Sequence, residues 1–181
     1  VGLNPRRTGL LAALRAMGAD IVEERAASRG GEPVADLVVR HAPLRGIEVP
    51  VELVPDMIDE FPALAVAAAC AGGTTMIRGA AELRVKESDR IAAMAAGLRS
   101  LGVRVEERPD GAVIEGGALH GGVIDSLGDH RIAMAFAVAG QCADGDVAIN
   151  DVANVATSFP GFDDLARQAG DVASQQVDRE R

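Results

Sequence analysis

The sequence predicts a mixed α/β (α+β) fold made of repeated β-α-β-α-β-β units, with helices packed on mixed sheets. Ala-rich helical segments that stop at Gly alternate with short runs rich in Val and Ile. The segment beginning at Leu14 matches the one beginning at Leu98, 84 positions further on. The segments at Asp59 and Asp129 each lead through an Ala-rich stretch into a strand. Such a repeat indicates a duplicated unit, so we expect equivalent helix starts to gather on one side.

The composition is that of a globular protein with few aromatic side chains. The chain has 181 residues, of which 48% are apolar, 25% charged and 2% aromatic. Its core must therefore be built from Ala, Val, Leu, Ile and Met. The net charge of −9 and the lack of a basic tract exclude nucleic acid as an expected partner.

Several observations bear on the setting and the boundaries of the chain. No apolar run is long enough to cross a membrane, and no signal peptide is recognisable. Cys70 and Cys142 lie in predicted Ala-rich helices, so we expect two reduced core thiols in a cytoplasmic protein rather than a disulfide or a metal site. Because Val1 stands in a loop-like segment, we expect an excerpt of a longer chain. Residues 1–170 should form one domain and 171–181 a polar, frayed tail.

The first elements follow from spacing and turn residues. Leu10, Leu14 and Met17 recur at helical spacing, which predicts a helix that ends at Gly18. Strands are expected on either side of a turn, and a short extended run after them: 20–23, 34–39 and 46–53. Asp59 is the expected N-cap of the next helix, which Pro62 helps to start and which stops at 72–73.

The elements of the second half are predicted from the same signals. A strand at 74–78 precedes a charged stretch and a helix at 91–101. The turn Pro109-Asp110-Gly111 predicts a hairpin of 103–107 and 112–114. The remaining expected elements are a strand, a helix capped by Asp129, a strand and a last helix that starts after Ser158-Phe159-Pro160 and ends at Gly170: 123–125, 132–142, 147–150 and 162–169.

The charged stretch Leu83-Arg84-Val85-Lys86-Glu87-Ser88-Asp89-Arg90 lies between two elements that look buried. It must sit at a helix start, where free backbone N–H groups and the helix dipole favour an anion. Lys86 and Arg90 are four positions apart, so they are expected to share one side of the first turn, with Glu87 beside them. The alternative is a solvated capping turn in which Glu87 and Asp89 balance the dipole.

The expected helix starts carry charged or polar side chains in five places: Arg6/Arg7, Asp59, Lys86/Glu87/Arg90, Asp129/His130/Arg131 and Thr157/Ser158. If they converge, one opening holds several helix N-termini and several cations. Such an opening suits a small, multiply anionic ligand such as a phosphate or carboxylate ester. The alternative is that each is an ordinary cap, although Arg and Lys are favoured at the opposite end of a helix.

Four segments carry a resemblance to a known family: 55–62, 83–90, 128–134 and 156–160. The sequences Leu83-Arg84-Val85-Lys86-Glu87-Ser88-Asp89-Arg90 and Gly128-Asp129-His130-Arg131 resemble motifs of 5-enolpyruvylshikimate-3-phosphate synthases. The resemblance covers nearly all of residues 1–170. It implies the C-terminal globe of a two-globe enzyme, each globe having three β-α-β-α-β-β units, with the start of the first unit lacking here.

The activity that this resemblance implies belongs to the shikimate pathway, which leads to chorismate and the aromatic amino acids. The family transfers the enolpyruvyl group of phosphoenolpyruvate to the 5-hydroxyl of shikimate 3-phosphate, releases phosphate and uses no metal or organic cofactor. The ligand-bearing N-terminal globe is the partner that this chain lacks, so the chain alone is expected to be inactive. One rival is a UDP-N-acetylglucosamine enolpyruvyl transferase, against which the Lys86 to Arg90 signature speaks. Another is a non-catalytic half that binds an anion.

The resemblance also implies roles for particular residues. Asp59, with Asp56 as its competitor, matches a proton acceptor that also binds shikimate 3-phosphate, and Glu87 matches a carboxylate that handles the methylene proton. The implied substrate ligands are Lys86 for shikimate 3-phosphate, Arg90 and Arg131 for phosphoenolpyruvate, and His130 in support or merely in a cap hydrogen bond. Asp129 is expected to cap its helix and orient Arg131. Thr157 stands where many members carry Lys, so it is not expected to be a ligand, and affinity for the inhibitor glyphosate is open.

Overall fold

The first unit consists of a helix followed by a long hairpin. The structure is a computed structural model that describes the backbone of residues 1–179 and the side chains of residues 1–170. Helix α1 (Gly9–Ala16) follows a short 3₁₀ turn and precedes strands β1 (Asp20–Arg29) and β2 (Glu32–Arg40), which pair antiparallel. The hairpin is longer than the sequence predicted, because backbone pairing continues past the last apolar position around a bulge between Glu24 and Ala27.

The chain start adds a short third strand to this hairpin. Gly2 bridges Val34 antiparallel, and the Leu3 N–H donates to the Pro33 carbonyl at 2.8 Å. Within the described residues, this unit therefore has one strand stub, one helix and two strands.

The second unit contains every element of the predicted repeat. Residues 45–49 bridge the next strand in parallel, a kinked 3₁₀ segment follows at Val51–Glu60, and a second 3₁₀ segment spans Ala81–Val85. The extended run expected at 46–53 is thus wrong from Val51 onward. Its helices and strands are α2 (Phe61–Cys70), β3 (Thr74–Ile77), α3 (Arg90–Ser100), β4 (Arg104–Arg108) and β5 (Gly111–Glu115). The strands of its sheet lie in the order β3-β5-β4, and both pairs are antiparallel. Residues 45–49 lie on the other side of β3, parallel to it.

The third unit carries a parallel pair of strands around one helix. Strand β6 (Gly122–Asp125), helix α4 (His130–Gly140) and strand β7 (Val147–Asn150) form a β-α-β crossover. Helix α5 (Ala153–Ser158), which the sequence did not predict, precedes helix α6 (Phe162–Arg179).

The predicted repeat is confirmed at the level of single hydrogen bonds. The Nε of Arg15 at the end of α1 donates to the Ile21 carbonyl in β1 at 3.4 Å. The Nε of Arg99 at the end of α3 donates to the Val105 carbonyl in β4 at 3.1 Å. Both donors and both acceptors are 84 positions apart, so the two helix-to-strand corners are the same structure built twice.

Three of the four predicted helix ends at Gly, those at Gly18, 72–73 and Gly102, are confirmed, and the fourth, at Gly170, is wrong. Gly18 and Gly102 follow α1 and α3 with φ of 100° and 84°, a left-handed conformation that suits glycine and lets the chain turn into a strand. Helix α6 instead continues through Gly170 to Arg179. A glycine inside a helix lowers helix stability by only about 1 kcal/mol relative to alanine. It therefore ends a helix only where the next segment packs in a different direction. Of the tail expected at 171–181, residues 180–181 lie outside the described residues.

The core lies between α2, α3 and α4 and the inner face of the β3-β5-β4 sheet. Its largest fully buried apolar side chains in these helices are Leu64, Ile91, Met94, Leu98 and Phe136. Helices α3 and α4 approach closely at Gly97, where an added Cβ would lie 2.3 Å from the Phe136 ring. As the composition predicted, aliphatic residues and Ala form most of this core.

The two cysteines are free, as expected, but they are not core residues. Cys70 is the last residue of α2 and Cys142 follows the end of α4, and both are exposed. Partial burial and the neighbouring Cys142 raise the pKa of the Cys70 thiol to about 11. Both thiols therefore lie at helix ends, where the chain leaves the core, and not in the buried helix interiors. None of the helices in the described part of the chain has the length and apolarity needed to cross a membrane.

Candidate active site

Helix α3 begins at a turn fixed by two charged residues of the Leu83–Arg90 stretch. Asp89 is the N-cap and accepts from the Ala92 N–H at 3.0 Å. The Arg84 guanidinium donates to Asp89 and to Glu107, each at 2.8 Å, and to the Pro109 carbonyl at 3.1 Å. Burial raises the pKa of Asp89, but these hydrogen bonds outweigh it and leave that pKa below its ordinary value. Arg84 and Asp89 therefore anchor the stretch on the β4–β5 hairpin, pointing away from the other charges.

Arg90, the first residue of α3, is the most buried of the predicted site residues, with 1% of its side chain exposed. Its Nε donates to Asp129 Oδ2 at 2.8 Å, its Nη1 to Asp59 Oδ1 at 3.3 Å and its Nη2 to Glu87 Oε2 at 2.5 Å. A buried guanidinium needs such partners, because an unpaired charge would be strongly disfavoured. Arg90 thus joins three separate segments at one point.

Asp129 is fully buried and uses both carboxylate oxygens. Its Oδ1 caps α4, accepting from the backbone N–H groups of Arg131 at 2.9 Å and Ile132 at 3.4 Å. Its Oδ2 accepts from Arg90 and from the Ser88 hydroxyl, the latter at 3.0 Å. Burial raises the pKa of Asp129, yet the pairing with Arg90 and the other donors holds it below the ordinary value. The expected cap is confirmed, but the side chain that Asp129 orients is that of Arg90, not Arg131.

Asp59 is the carboxylate around which the cations gather. Its Oδ1 lies 3.3 Å from Arg90 Nη1 and 3.7 Å from Lys86 Nζ, and its Oδ2 lies 4.0 Å from Arg131 Nη2. Arg131 also donates to the Asp59 carbonyl at 3.0 Å. The expectation that Asp59 is an N-cap is wrong, because the kinked 3₁₀ segment ends one residue later and Glu60 occupies the cap position of α2.

Lys86 reaches the same place by a different route from the one predicted. Helix α3 starts only at Arg90, and Lys86 lies before it with φ −78° and ψ −157°. The two cations therefore do not share a helical turn, although both contact Asp59. Lys86 also pairs with Glu82 on the preceding 3₁₀ segment, and this hydrogen bond raises the pKa of the Lys86 ammonium.

The structure thus brings together Asp59, Lys86, Glu87, Arg90 and Arg131, which the sequence had nominated from segments dozens of residues apart. Glu60 and Glu82 contact the cluster as well, although neither was expected to belong to the site. Ser88 was also missed, since a lone hydroxyl in a charged stretch carries no spacing signal. The cluster's three cations are paired with more carboxylates than there are cations, so as it stands it has no excess positive charge.

Other nominated residues lie beside the cluster or apart from it. The Arg6 Nη1 lies 3.5 Å from Asp56 Oδ1, and both residues line a cavity of about 170 Å³ formed by residues 6–7 and 55–60. His130, the first residue of α4, is half-buried, and its support of the site stays a prediction. Thr157 is near the end of α5, not at a helix start, and its hydroxyl donates to the Asn154 carbonyl at 2.8 Å. No group of three or more metal-ligand side chains is clustered within the described residues.

Comparison with solved structures first defines the class of fold. The enolpyruvyl transferase NikO from Streptomyces tendae superposes over 91% of this chain and 35% of its own, with a TM-score of 0.65 and 22% identity, which shows the fold alone. EPSP synthase from Acinetobacter baumannii, solved at 2.37 Å, superposes over 94% of this chain and 40% of its own, with a TM-score of 0.92 and 49% identity. The fold is that of enolpyruvyl transferases, which confirms the predicted architecture.

The family follows from the sequence match. Residues 1–165 match the family model of EPSP synthase (3-phosphoshikimate 1-carboxyvinyltransferase), and the chain belongs to this family. The 3-phosphoshikimate 1-carboxyvinyltransferases of Xanthomonas campestris pv. campestris (strain B100) and Xanthomonas oryzae pv. oryzae (strain PXO99A) are each 74% identical over 170 residues. That match covers 94% of this chain but 39% of each relative, so the chain spans well under half the length of these curated relatives.

Proposed function

We propose that this chain forms one wall of the active site of a 3-phosphoshikimate 1-carboxyvinyltransferase, which joins the enolpyruvyl group of phosphoenolpyruvate to the 5-hydroxyl of shikimate 3-phosphate and releases phosphate. The observation that carries the proposal is the meeting of Lys86, Arg90 and Arg131 at Asp59. Both substrates are multiply anionic, and guanidinium forks match carboxylate and phosphate oxygens. The family to which the chain belongs supports the same reaction.

The roles follow from the chemistry of each group. Arg90 and Arg131 bind the carboxylate and phosphate of phosphoenolpyruvate, and Lys86 binds shikimate 3-phosphate. Asp59 lies among three cations at the place where the substrates would meet, so its carboxylate is positioned to accept the proton of the attacking hydroxyl. Glu87, half-exposed beside Arg90, handles the proton on the methylene carbon. His130 supports the site from the start of α4.

The balance of charge indicates that this wall works only with the rest of the enzyme. Lys86, Arg90 and Arg131 each already contact a carboxylate, and the chain as a whole carries −9. An anionic substrate would have to displace Asp59 or Glu87 from these cations. In the longer relatives, cations from the part of the sequence that this chain does not cover would shift that competition towards the substrates. We place the completed enzyme in the cytoplasm, where Cys70 and Cys142 stay reduced.

The proposal is tested by completing the chain. The upstream part of the Xanthomonas campestris relative, joined to Val1, gives what we call the joined enzyme. Phosphate release is measured with both substrates, and omission of either substrate should abolish it. The Arg131→Ala variant should raise the KM for phosphoenolpyruvate by about tenfold or more, because a charge-assisted hydrogen bond is lost.

The matched control is Arg104→Ala, which removes an equally charged side chain that pairs with Glu115 at the exposed end of β5, away from the cluster. It should leave both KM values unchanged. A joined enzyme whose circular dichroism shows it folded, but which releases no phosphate from the two substrates, would refute the proposed function.

A further inference from the structure

The roles proposed above assign no function to Asp129, the most buried carboxylate that contacts the cluster. Asp129 is 0% exposed, and capping α4 requires only its Oδ1. Its Oδ2 is engaged by the Arg90 Nε at 2.8 Å and the Ser88 hydroxyl at 3.0 Å. A cap residue has no need of this second pair of donors, because the free N–H groups of the helix lie on the other side.

The contact with Nε has a geometric consequence for the guanidinium. This group is planar and rigid, so a bond that fixes the Nε edge also fixes the direction of the two Nη groups. In Arg90 these groups point at Asp59 and Glu87, on the side where the other cations gather. The Ser88 hydroxyl holds the same Oδ2 and so restricts rotation of the carboxylate.

We propose that Asp129, braced by Ser88, is a positioning residue that sets the plane of Arg90 so that both Nη groups face the anionic substrate. This inference rests on the proposed function. It links the two arginines through one carboxylate, since Asp129 holds Arg90 by its side chain and Arg131 by its backbone N–H. Asp129 itself touches no substrate, because Arg90 and the α4 start enclose it.

The chain supplies a matched control in Asp89. It too is an N-cap paired with an arginine, but its partner Arg84 is directed to the β4–β5 hairpin. Asn caps helices as well as Asp does, so Asp129→Asn and Asp89→Asn each keep the cap and remove one carboxylate–arginine pair. Both changes cost stability, and only Asp129→Asn should alter substrate binding.

In the joined enzyme, Asp129→Asn should raise the KM for phosphoenolpyruvate by about tenfold or more, the effect of losing a charge-assisted bond to a binding group. The KM for shikimate 3-phosphate should change much less. Ser88→Ala, which leaves the ion pair intact and is the milder change, should raise the KM for phosphoenolpyruvate by about threefold. In an Arg90→Lys background, where no guanidinium plane exists, Asp129→Asn should add less than about twofold.

The outcomes separate positioning from a merely structural role. The inference would be overturned if Asp129→Asn and Asp89→Asn changed both KM values and kcat to the same extent. It would also be overturned if the effects of Asp129→Asn and Arg90→Lys on the KM for phosphoenolpyruvate were fully additive. A second readout uses the 181-residue chain itself and needs no activity. The ¹⁵N–¹H signal of Arg90 Nε should exchange slowly with water, and Asp129→Asn should abolish this protection while Asp89→Asn keeps it. Unchanged protection in Asp129→Asn would overturn the inference even if the joined enzyme proved inactive, whereas loss of activity alone would tell only against the proposed function.

Discussion

Arg90 shows how one side chain gathers the cluster. It is 1% exposed, and its partners come from the 3₁₀ segment before α2, from the turn before α3 and from the start of α4. Burying such an ion pair contributes little net stability, because desolvation offsets the attraction between the charges. Removing one partner costs about 3–5 kcal/mol, so the arrangement specifies geometry more than it stabilises the fold.

Thr75 carries a buried hydroxyl group in the core of the sheet. It is 0% exposed in β3, and its hydroxyl oxygen has no hydrogen-bond partner in the described part of the chain. Replacing a buried unpaired hydroxyl by a methyl of similar size removes its desolvation cost. We expect Thr75→Val to raise the free energy of unfolding by about 1 kcal/mol, measured by urea denaturation of the chain.

The neighbouring Thr74 provides the control, because it lies in the same strand and is exposed. Thr74→Val should change the stability by less than about 0.5 kcal/mol. A Thr75→Val variant that is less stable than the parent would show that the hydroxyl has a partner after all.

At the scale of elements, the packing of α3 against α4 positions the two arginines. Each of these helices begins at the cluster, with Arg90 and His130 as their first residues, so their relative placement sets the distance between Arg90 and Arg131. Gly97 allows the close approach, because any Cβ there would meet the buried Phe136 ring at 2.3 Å.

We therefore expect Gly97→Ala to destabilise the chain by about 1–3 kcal/mol, despite the better helix propensity of Ala. Thermal and urea unfolding measure the change. Gly117→Ala serves as the control, since no atom lies within 4 Å of the position of its Cβ. Stabilisation by Gly97→Ala would mean that α3 and α4 are further apart than described.

The elements also show where sequence reasoning succeeded and failed. The hairpin at Pro109-Asp110-Gly111 and the strand Val147–Asn150 were predicted because turn residues and β-branched runs act locally. Helix α5 was missed because it spans only six residues, too few to show an apolar period. The 3₁₀ segment Val51–Glu60 was missed although Val54 and Met57 are helically spaced, because Pro55 within it favours a break in a helix. The end of α6 was placed too early at Gly170, since the glycine signal is decisive only where the next element pulls the chain away.

At the scale of the whole molecule, the described units are unequal. The second has all its elements, the first begins with a strand stub, and the third shows no strand after β7 within residues 1–179. The relatives are far longer than this chain, which spans 39% of the Xanthomonas campestris protein. The chain also has no surplus of positive charge at the cluster. Its cations there are balanced by neighbouring carboxylates, and the net charge of the whole chain is −9.

We expect the purified 181-residue chain to release no phosphate from the two substrates, and to bind shikimate 3-phosphate only weakly. The reason is that its cations are already paired with carboxylates and that the chain spans 39% of the length of the Xanthomonas campestris relative. Calorimetric titration and a phosphate-release assay, with the joined enzyme at equal concentration as the positive control, measure both. Turnover by the chain alone would contradict this expectation.

The sequence by itself determined the repeated unit, most of its helices and strands, the family, and the cluster's cations with some of its carboxylates. These depend on local chemistry: apolar spacing, turn residues and short motifs that are read along the chain. Only the tertiary structure decided that Asp59 is not a cap, that Lys86 and Arg90 meet without sharing a helical turn, and that Asp129 holds Arg90 rather than the Arg131 side chain. Those partnerships join residues 31 and 39 positions apart, and side chains so far separated are paired by how the helices pack, which no local pattern encodes.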